Sequence, residues 1–164
     1  MKGMIILGYP GIGKTTLALS QKDIIDLNYT PFKSDSEYDA WETLYCQVAM
    51  SLAKSDKTVF VSCHDEVQSE LNTEPYKKIR KYIIVPHISL KESWLKRITS
   101  PYYKRYGVDE DQHQRMVERV RKYFEVDIKH LASNEDFTMI YIQQPVTYNL
   151  ADIVYHIQKL QAAL

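Results

Sequence analysis

Eight consecutive residues near the amino end, Gly8-Tyr9-Pro10-Gly11-Ile12-Gly13-Lys14-Thr15, fit G-x-x-x-x-G-K-[ST] at every fixed position. Glycines let the backbone curl until successive N–H groups converge on phosphate oxygens. Lys14 sets a mobile cation against β- and γ-phosphates, and the Thr15 hydroxyl is a ligand for Mg²⁺. Average residue usage makes a chance match in a chain of this length an event on the order of one in a few hundred. The setting agrees. Met4-Ile5-Ile6-Leu7 reads as a strand before the loop, and Thr16-Leu17-Ala18-Leu19 opens a helix. The amino end of that helix adds partial positive charge. Gly8, Pro10, Gly11, Ile12, Gly13, Lys14, Thr15 and Thr16 are therefore expected to line a nucleotide-phosphate site. The plainer alternative is a Gly/Pro turn joining strand to helix. A dinucleotide loop is the nearer rival, because Asp26 follows Gly8 by 18 residues, where a ribose-binding acid sits. G-x-G-x-x-G fails, however, since Thr16 stands where the third glycine belongs.

Other short runs of β-branched and aromatic residues follow: Ile24–Leu27, Thr58–Val61, Tyr82–Val85 and Phe137–Ile142. Runs apolar on both faces suit strands buried between helical layers. Between them lie amphipathic stretches. Tyr38, Trp41, Tyr45, Val48 and Leu52 recur at helical steps, as do Met116, Val120, Phe124, Ile128 and Leu131. Asp109, with Gln112 three residues on, reads as a capped start of the second of these helices. Asn149 caps a last helix carrying Ile153, Ile157 and Leu160, and a shorter helix is expected from Lys91 to Ile98. Pro101 and Gly107 bracket an irregular stretch. This alternation predicts an α/β fold with a parallel sheet, right-handed crossovers and helices on both faces.

A chain of 164 residues is expected to form one domain with a genuine core. Its 45% apolar and 26% charged residues are ordinary for globular proteins and exclude disorder. Lys plus Arg equals Asp plus Glu at 21 each, which argues against a protein that coats nucleic acid or anionic membrane. Cys46 and Cys63 make no disulfide scaffold and no metal spacing. Apolar runs are too short to span a bilayer, and MKGMIILGYP does not read as a signal peptide. A reducing, cytoplasmic setting is expected.

Four segments together resemble one family. They are the GYPGIGKT loop, the second strand ending DIIDLN, the VFVSCH strand, and the basic segment KESWLKRITSPYYKRYG ahead of the last helix–strand–helix. The chain resembles the nucleoside monophosphate kinase-like P-loop kinases, in particular the short nucleotide kinases of bacteriophage genomes, over nearly its whole length. The resemblance implies a three-layer P-loop NTPase fold with a five-stranded parallel sheet in order 2-3-1-4-5. It implies one domain over 1–164 with a lid segment at about 91–109. It implies ATP and Mg²⁺ as donor, and a small nucleotide or nucleoside acceptor between the sheet's carboxyl edge and the lid.

Within that resemblance Asp26 has two roles open. In relatives that phosphorylate a hydroxyl, an acid at the end of strand two takes or orients the acceptor proton. With a phosphate acceptor it instead holds Mg²⁺-bound water or the nucleoside; a turn-forming Asp before Asn28 is the alternative. The third strand ends Ser62-Cys63-His64-Asp65-Glu66, without the acid that usually closes this strand in P-loop enzymes. Asp65 or Asp26 is expected to take over on the magnesium side, with Thr15 and Asp26 as the metal-associated pair. Asp65 also reads as the N-cap of a helix Glu66–Leu71, His64 as lining the acceptor pocket, and Cys63 as a small core residue.

The lid candidate carries Lys91, Lys96, Arg97, Lys104 and Arg105 against one acid, Glu92. Guanidinium groups stabilise the charge spread over a transferring phosphoryl group, and Arg97 and Arg105 are the catalytic candidates. A solvated basic face is the alternative. Arg115 and Arg119 are expected to be exposed. Tyr102, Tyr103 and Tyr106 cluster in the lid, whereas Trp41 and Tyr45 read as core. Ser34–Glu37 is expected to cap the acceptor-side helix, and Gln143–Thr147 to border the donor base by resemblance alone. The resulting expectation is ATP- and Mg²⁺-dependent phosphoryl transfer to a nucleoside monophosphate or nucleoside, with Lys14, Thr15, Asp26, Arg97 and Arg105 carrying the work. A 5′-hydroxyl polynucleotide kinase and a non-catalytic ATP-sensing module remain as alternatives.

Overall fold

The computed structural model describes residues 3–35, 40–144 and 147–163. Five strands, β1 (Met4–Gly8), β2 (Ile24–Asp26), β3 (Thr58–Val61), β4 (Lys81–Pro86) and β5 (Thr138–Ile142), form one parallel sheet in order β2-β3-β1-β4-β5. β1 and β3 are buried at every position, as central strands covered on both faces must be. Leu7 pairs with Val61 and with Ile83 in register, so the carboxyl ends of β1, β3 and β4 lie side by side.

The helices are α1 (Lys14–Ser20), α2 (Thr30–Asp35), α3 (Trp41–Lys54), α4 (Asp65–Leu71), α5 (Lys91–Thr99), α6 (Glu110–Ala132) and α7 (Leu150–Ala162). The strand order sends the chain one way from β1 to β2 and the other way from β2 through β3 and β4 to β5. Right-handed crossovers therefore put α1 on one face and α3, α4 and α6 on the other. Packing agrees, since α7 touches α1 and α4 touches α3. Where direction reverses, beside β1, the carboxyl edge opens a crevice that parallel sheets use for ligands.

Local chemistry explains several boundaries. Asp109 accepts from the Gln112 amide at 2.8 Å and Gln112 reaches back to the Asp109 amide at 3.2 Å, a closed capping box. Asn149 accepts from Ala151 N to start α7. Pro101 disfavours helix for the residue before it, and Ser100 is extended at ψ 142°, ending α5.

Five expectations need correction. α2 was not foreseen; it follows an Asx turn in which Asn28 Oδ1 accepts from Thr30 N, and Pro31 sits in a first turn that needs no amide there. The fully buried stripe of α3 is Trp41, Tyr45, Cys46, Ala49 and Ala53, while Leu52 packs on the core only half-buried and Val48 is half-buried. Small residues there let α3 lie close on β1, β3 and α4. On α7 Leu160 is 67% exposed, and Val154 and Gln161 face inward instead. Asp65 is not the cap of α4 but lies in its first turn, after His64 in extended conformation; a carboxylate there still complements the helix dipole. Ser34 and Asp35 end α2 instead of capping α3, whose cap position is Ala40. Tyr38, the 36–37 part of the expected cap and residues 145–146 fall outside the described residues. No helix among them is long and apolar enough to cross a membrane.

Candidate functional site

The loop from Gly8 to Thr15 leaves β1 at the carboxyl edge and runs into α1. Gly11 and Gly13 have φ of +89° and +99°, in the left-handed region that side chains disfavour. At Gly11 space is closed as well, since a Cβ would lie 2.7 Å from Ile98 Cγ2 and 3.3 Å from Trp94 Nε1.

Every carbonyl around this curl has a partner. Lys14 Nζ donates to Gly8 O at 2.7 Å. Trp94 Nε1 donates to Pro10 O at 2.9 Å, Arg97 Nε to Gly11 O at 3.0 Å and Tyr148 OH to Ile12 O at 2.9 Å. Ile12 N–H turns back to Tyr9 O, and Leu17 N–H takes Gly13 O. The amides divide differently. Tyr9 N–H is used by Ile84 O, but those of Gly11 and Gly13 donate to nothing among the described residues. The amides of Lys14, Thr15 and Thr16 belong to the first helical turn, whose N–H groups have no intrahelical acceptor. The result is a ring of unpartnered donors beside one ammonium, an anion-binding arrangement.

Thr15 Oγ1 donates to Asp26 Oδ2 at 2.5 Å. The carboxylate that backs this hydroxyl therefore comes from the end of β2, while the end of β3 offers Ser62, Cys63 and His64. Ser62 N–H is taken by Tyr45 OH at 2.9 Å, and Ser62 Oγ is bonded to His64 Nδ1. Burial pushes the half-buried Cys63 thiol up to about 11, with the Lys14 ammonium pulling the other way. Asp65 is turned toward α6, where His130 Nε2 lies 3.1 Å from its Oδ1.

Arg97 stands against the loop rather than free in a lid. Its guanidinium is 5.6 Å from the Trp94 ring and 5.1 Å from the Tyr148 ring, and those two rings stack at 6.1 Å. Each cation–ring contact contributes about 0.5–2 kcal/mol. Burial pushes the Tyr148 hydroxyl up to about 12, so it remains a donor at any ordinary pH. Arg105 lies beyond Pro101 in the irregular stretch, exposed and without a hydrogen bond or ion pair among the described residues. Arg119 is also exposed, but its Nε and Nη2 grip Asp127 in a two-pronged pair at 3.0 Å. Of the lid tyrosines, Tyr102 is 90% exposed while Tyr103 packs on His113.

Beside the loop opens a cleft of about 550 Å³ lined by Ile12, Thr16, Leu17, Arg97, Tyr148 and Asn149. Another cleft, of about 390 Å³, lies at the opposite edge of the sheet among Lys77, Lys78 and Arg80, remote from these groups. On the far side of the loop Tyr29, Trp41, Tyr45 and His64 pack together, His64 edge to face with Tyr29 at 4.5 Å and with Trp41, and Trp41 tilted against Tyr29 and Tyr45. Trp41 and Tyr45 are buried, as the helical spacing predicts. Burial first, then the Lys33 and Arg119 charges, hold the His64 imidazole below its ordinary range, against Glu66 and Asp65.

The loop residues, Lys14, Thr15, Asp26 and Arg97 thus meet in one place, and Arg105 does not join them. Trp94 and Tyr148 were missed by sequence reasoning. Trp94 reads as an apolar helix residue and Tyr148 as part of a loop; nothing local signals that their polar atoms reach a backbone 84 and 136 residues away. No protein-family model and no curated protein matches the chain.

Proposed function

We propose that the chain is an ATP- and Mg²⁺-dependent phosphotransferase of the P-loop kinase type, acting on a nucleoside monophosphate or nucleoside. The observation that carries this reading is the glycine loop. Its unpartnered amides and the Lys14 ammonium sit at the crevice of a 2-3-1-4-5 parallel sheet, next to a threonine hydroxyl backed by a carboxylate. Bound at Thr15, Mg²⁺ would supply charge neutralisation for the β- and γ-phosphates. Asp26 fits behind it, since a carboxylate that accepts from the Thr15 hydroxyl turns the oxygen lone pairs outward. Among the described residues no three His, Cys, Asp or Glu side chains group to hold a metal alone. That suits an ion that completes its shell with phosphate oxygens and water.

The chain's own groups divide the work. The loop amides and Lys14 grip the phosphates, Thr15 and Asp26 orient the metal side, and Arg97 borders the donor cleft, where Ile12 and Leu17 offer apolar walls to a base. Arg105 is free to approach only if the 100–109 stretch closes. The engagement of Asp26 with Thr15 favours the metal-side role over that of base, and hence a phosphate acceptor over a hydroxyl one. ADP release from MgATP, measured with deoxynucleoside monophosphates, nucleosides and a 5′-hydroxyl oligonucleotide, tests the reading. Acceptor-dependent turnover with a phosphorylated product by mass spectrometry is expected. Tight ATP binding that no acceptor alters would replace the kinase with an ATP sensor.

A further inference from the structure

We infer that Trp94 and Tyr148 are positioning residues for the donor's phosphate chain, acting on it through the loop backbone; the inference rests on the phosphate-binding reading above. A trans peptide sets its C=O and N–H on opposite sides of one bond, in one plane. Pinning a carbonyl therefore aims the amide of the next residue the other way. Trp94 pins Pro10 O, and the amide it aims is that of Gly11. Tyr148 pins Ile12 O, and the amide it aims is that of Gly13. Those are the two loop amides ahead of α1 that donate to nothing among the described residues. The peptide between them behaves differently. Arg97 pins Gly11 O, but the Ile12 amide is consumed within the loop by Tyr9 O.

The need for pins follows from the same residues that make the loop. Peptides 10–11 and 12–13 each precede a glycine, the residue that resists peptide rotation least. Left to water, either plane could turn over and present an oxygen to the phosphate in place of an N–H. Trp94, Arg97 and Tyr148 come from α5 and the approach to α7, stack as one unit, and meet three consecutive carbonyls. Rings that only filled space would need no donor aimed at each oxygen.

The test is calorimetric binding of two ligands with Mg²⁺, ATP and inorganic tripolyphosphate, to wild type, Trp94→Phe and Tyr148→Phe. Both variants keep a ring in the stack and lose the donor. Each is expected to weaken both ligands alike, by about 3- to 10-fold for one hydrogen bond. Tripolyphosphate separates positioning from direct contact, because Tyr148 also lines the adjoining cleft. If Tyr148→Phe weakened ATP and left tripolyphosphate unchanged, the hydroxyl would be reading the nucleoside and the inference would fall. Lower melting temperatures with unchanged affinities would reduce both residues to structural supports and overturn it too. Wild type that bound both ligands, with variants within twofold of it, would sink this inference alone. Wild type that bound neither would sink the phosphate-binding reading with it.

Discussion

The two flanks of the glycine loop are both aromatic, and each holds one of the chain's two tryptophans, yet they are built differently. On one flank Trp94, Arg97 and Tyr148 point polar atoms at backbone oxygens of the loop. On the other, Tyr29, Trp41 and His64 pack ring against ring, and the contact with backbone is concentrated in Tyr45, whose hydroxyl donates to Leu27 O at 2.8 Å and accepts from Ser62 N. The difference follows what each flank must hold. A glycine loop has no ladder to restrain it, so its planes need individual donors. The ends of β2 and β3 are already held by their sheet bonds, so one hydroxyl bridging them and a packed aromatic wall suffice. On the proposed reading the first flank serves binding of a ligand, and the second serves stability and the shape of the neighbouring space.

Lys14→Ala makes the largest break. It removes a charge from the loop between the flanks and leaves both flanks intact, and turnover should fall by about two to three orders of magnitude, as when a charge-stabilising donor is deleted. The fold, read by circular dichroism and melting temperature, should not change. Undiminished turnover in a steady-state assay would remove the loop from the chemistry. Asp26→Asn comes next. Losing the carboxylate behind a metal ligand typically lowers metal affinity about 10- to 100-fold, so the Mg²⁺ concentration for half-maximal activity should rise by that factor. A larger loss on hydroxyl than on phosphate acceptors would point to a base instead.

Tyr45→Phe tests the second flank. It leaves Ser62 N–H and Leu27 O without their partner in the interior, which should lower unfolding free energy by about 1–3 kcal/mol in urea titrations. ATP affinity should stay within twofold; a large loss of binding would merge the two flanks into one functional unit. The smallest effect concerns His64. Its folded pKa lies below the ordinary 6.5, so the unfolded chain takes up the proton first as pH falls. Its contribution is fully present above 6.5 and fades as pH drops toward the folded value. Wild type should therefore lose more stability than His64→Gln between about pH 7.5 and 5.5. Parallel curves would show that the imidazole is not kept neutral.

Much of the architecture was legible because it depends on neighbours in the chain. The glycine spacing, the Asp109–Gln112 box, the Asn149 cap and the position of each strand follow from periodicity and local hydrogen bonding. α2 was hidden because six residues cannot display a helical period, and the inward face of α3 was misjudged because alanines carry little hydrophobic signal. The carboxylate that meets Thr15 was visible only as two options, since choosing Asp26 over Asp65 requires knowing which one turns toward that hydroxyl. Arg97 and Arg105 look equivalent as letters, and α5 packing on the loop separates them.

Residue order alone determined that a glycine-rich loop of the G-x-x-x-x-G-K-[ST] pattern joins a buried strand to a helix, and that parallel strands alternate with helices, because curl, cap and period act over a few residues. Tertiary structure alone decided which distant side chains hold that loop open. Hydrogen bonds from Trp94 and Tyr148 to Pro10 and Ile12 exist only once α5 and the approach to α7 converge on the loop that follows β1. Their geometry depends on packing in three dimensions, which no local pattern of residues encodes.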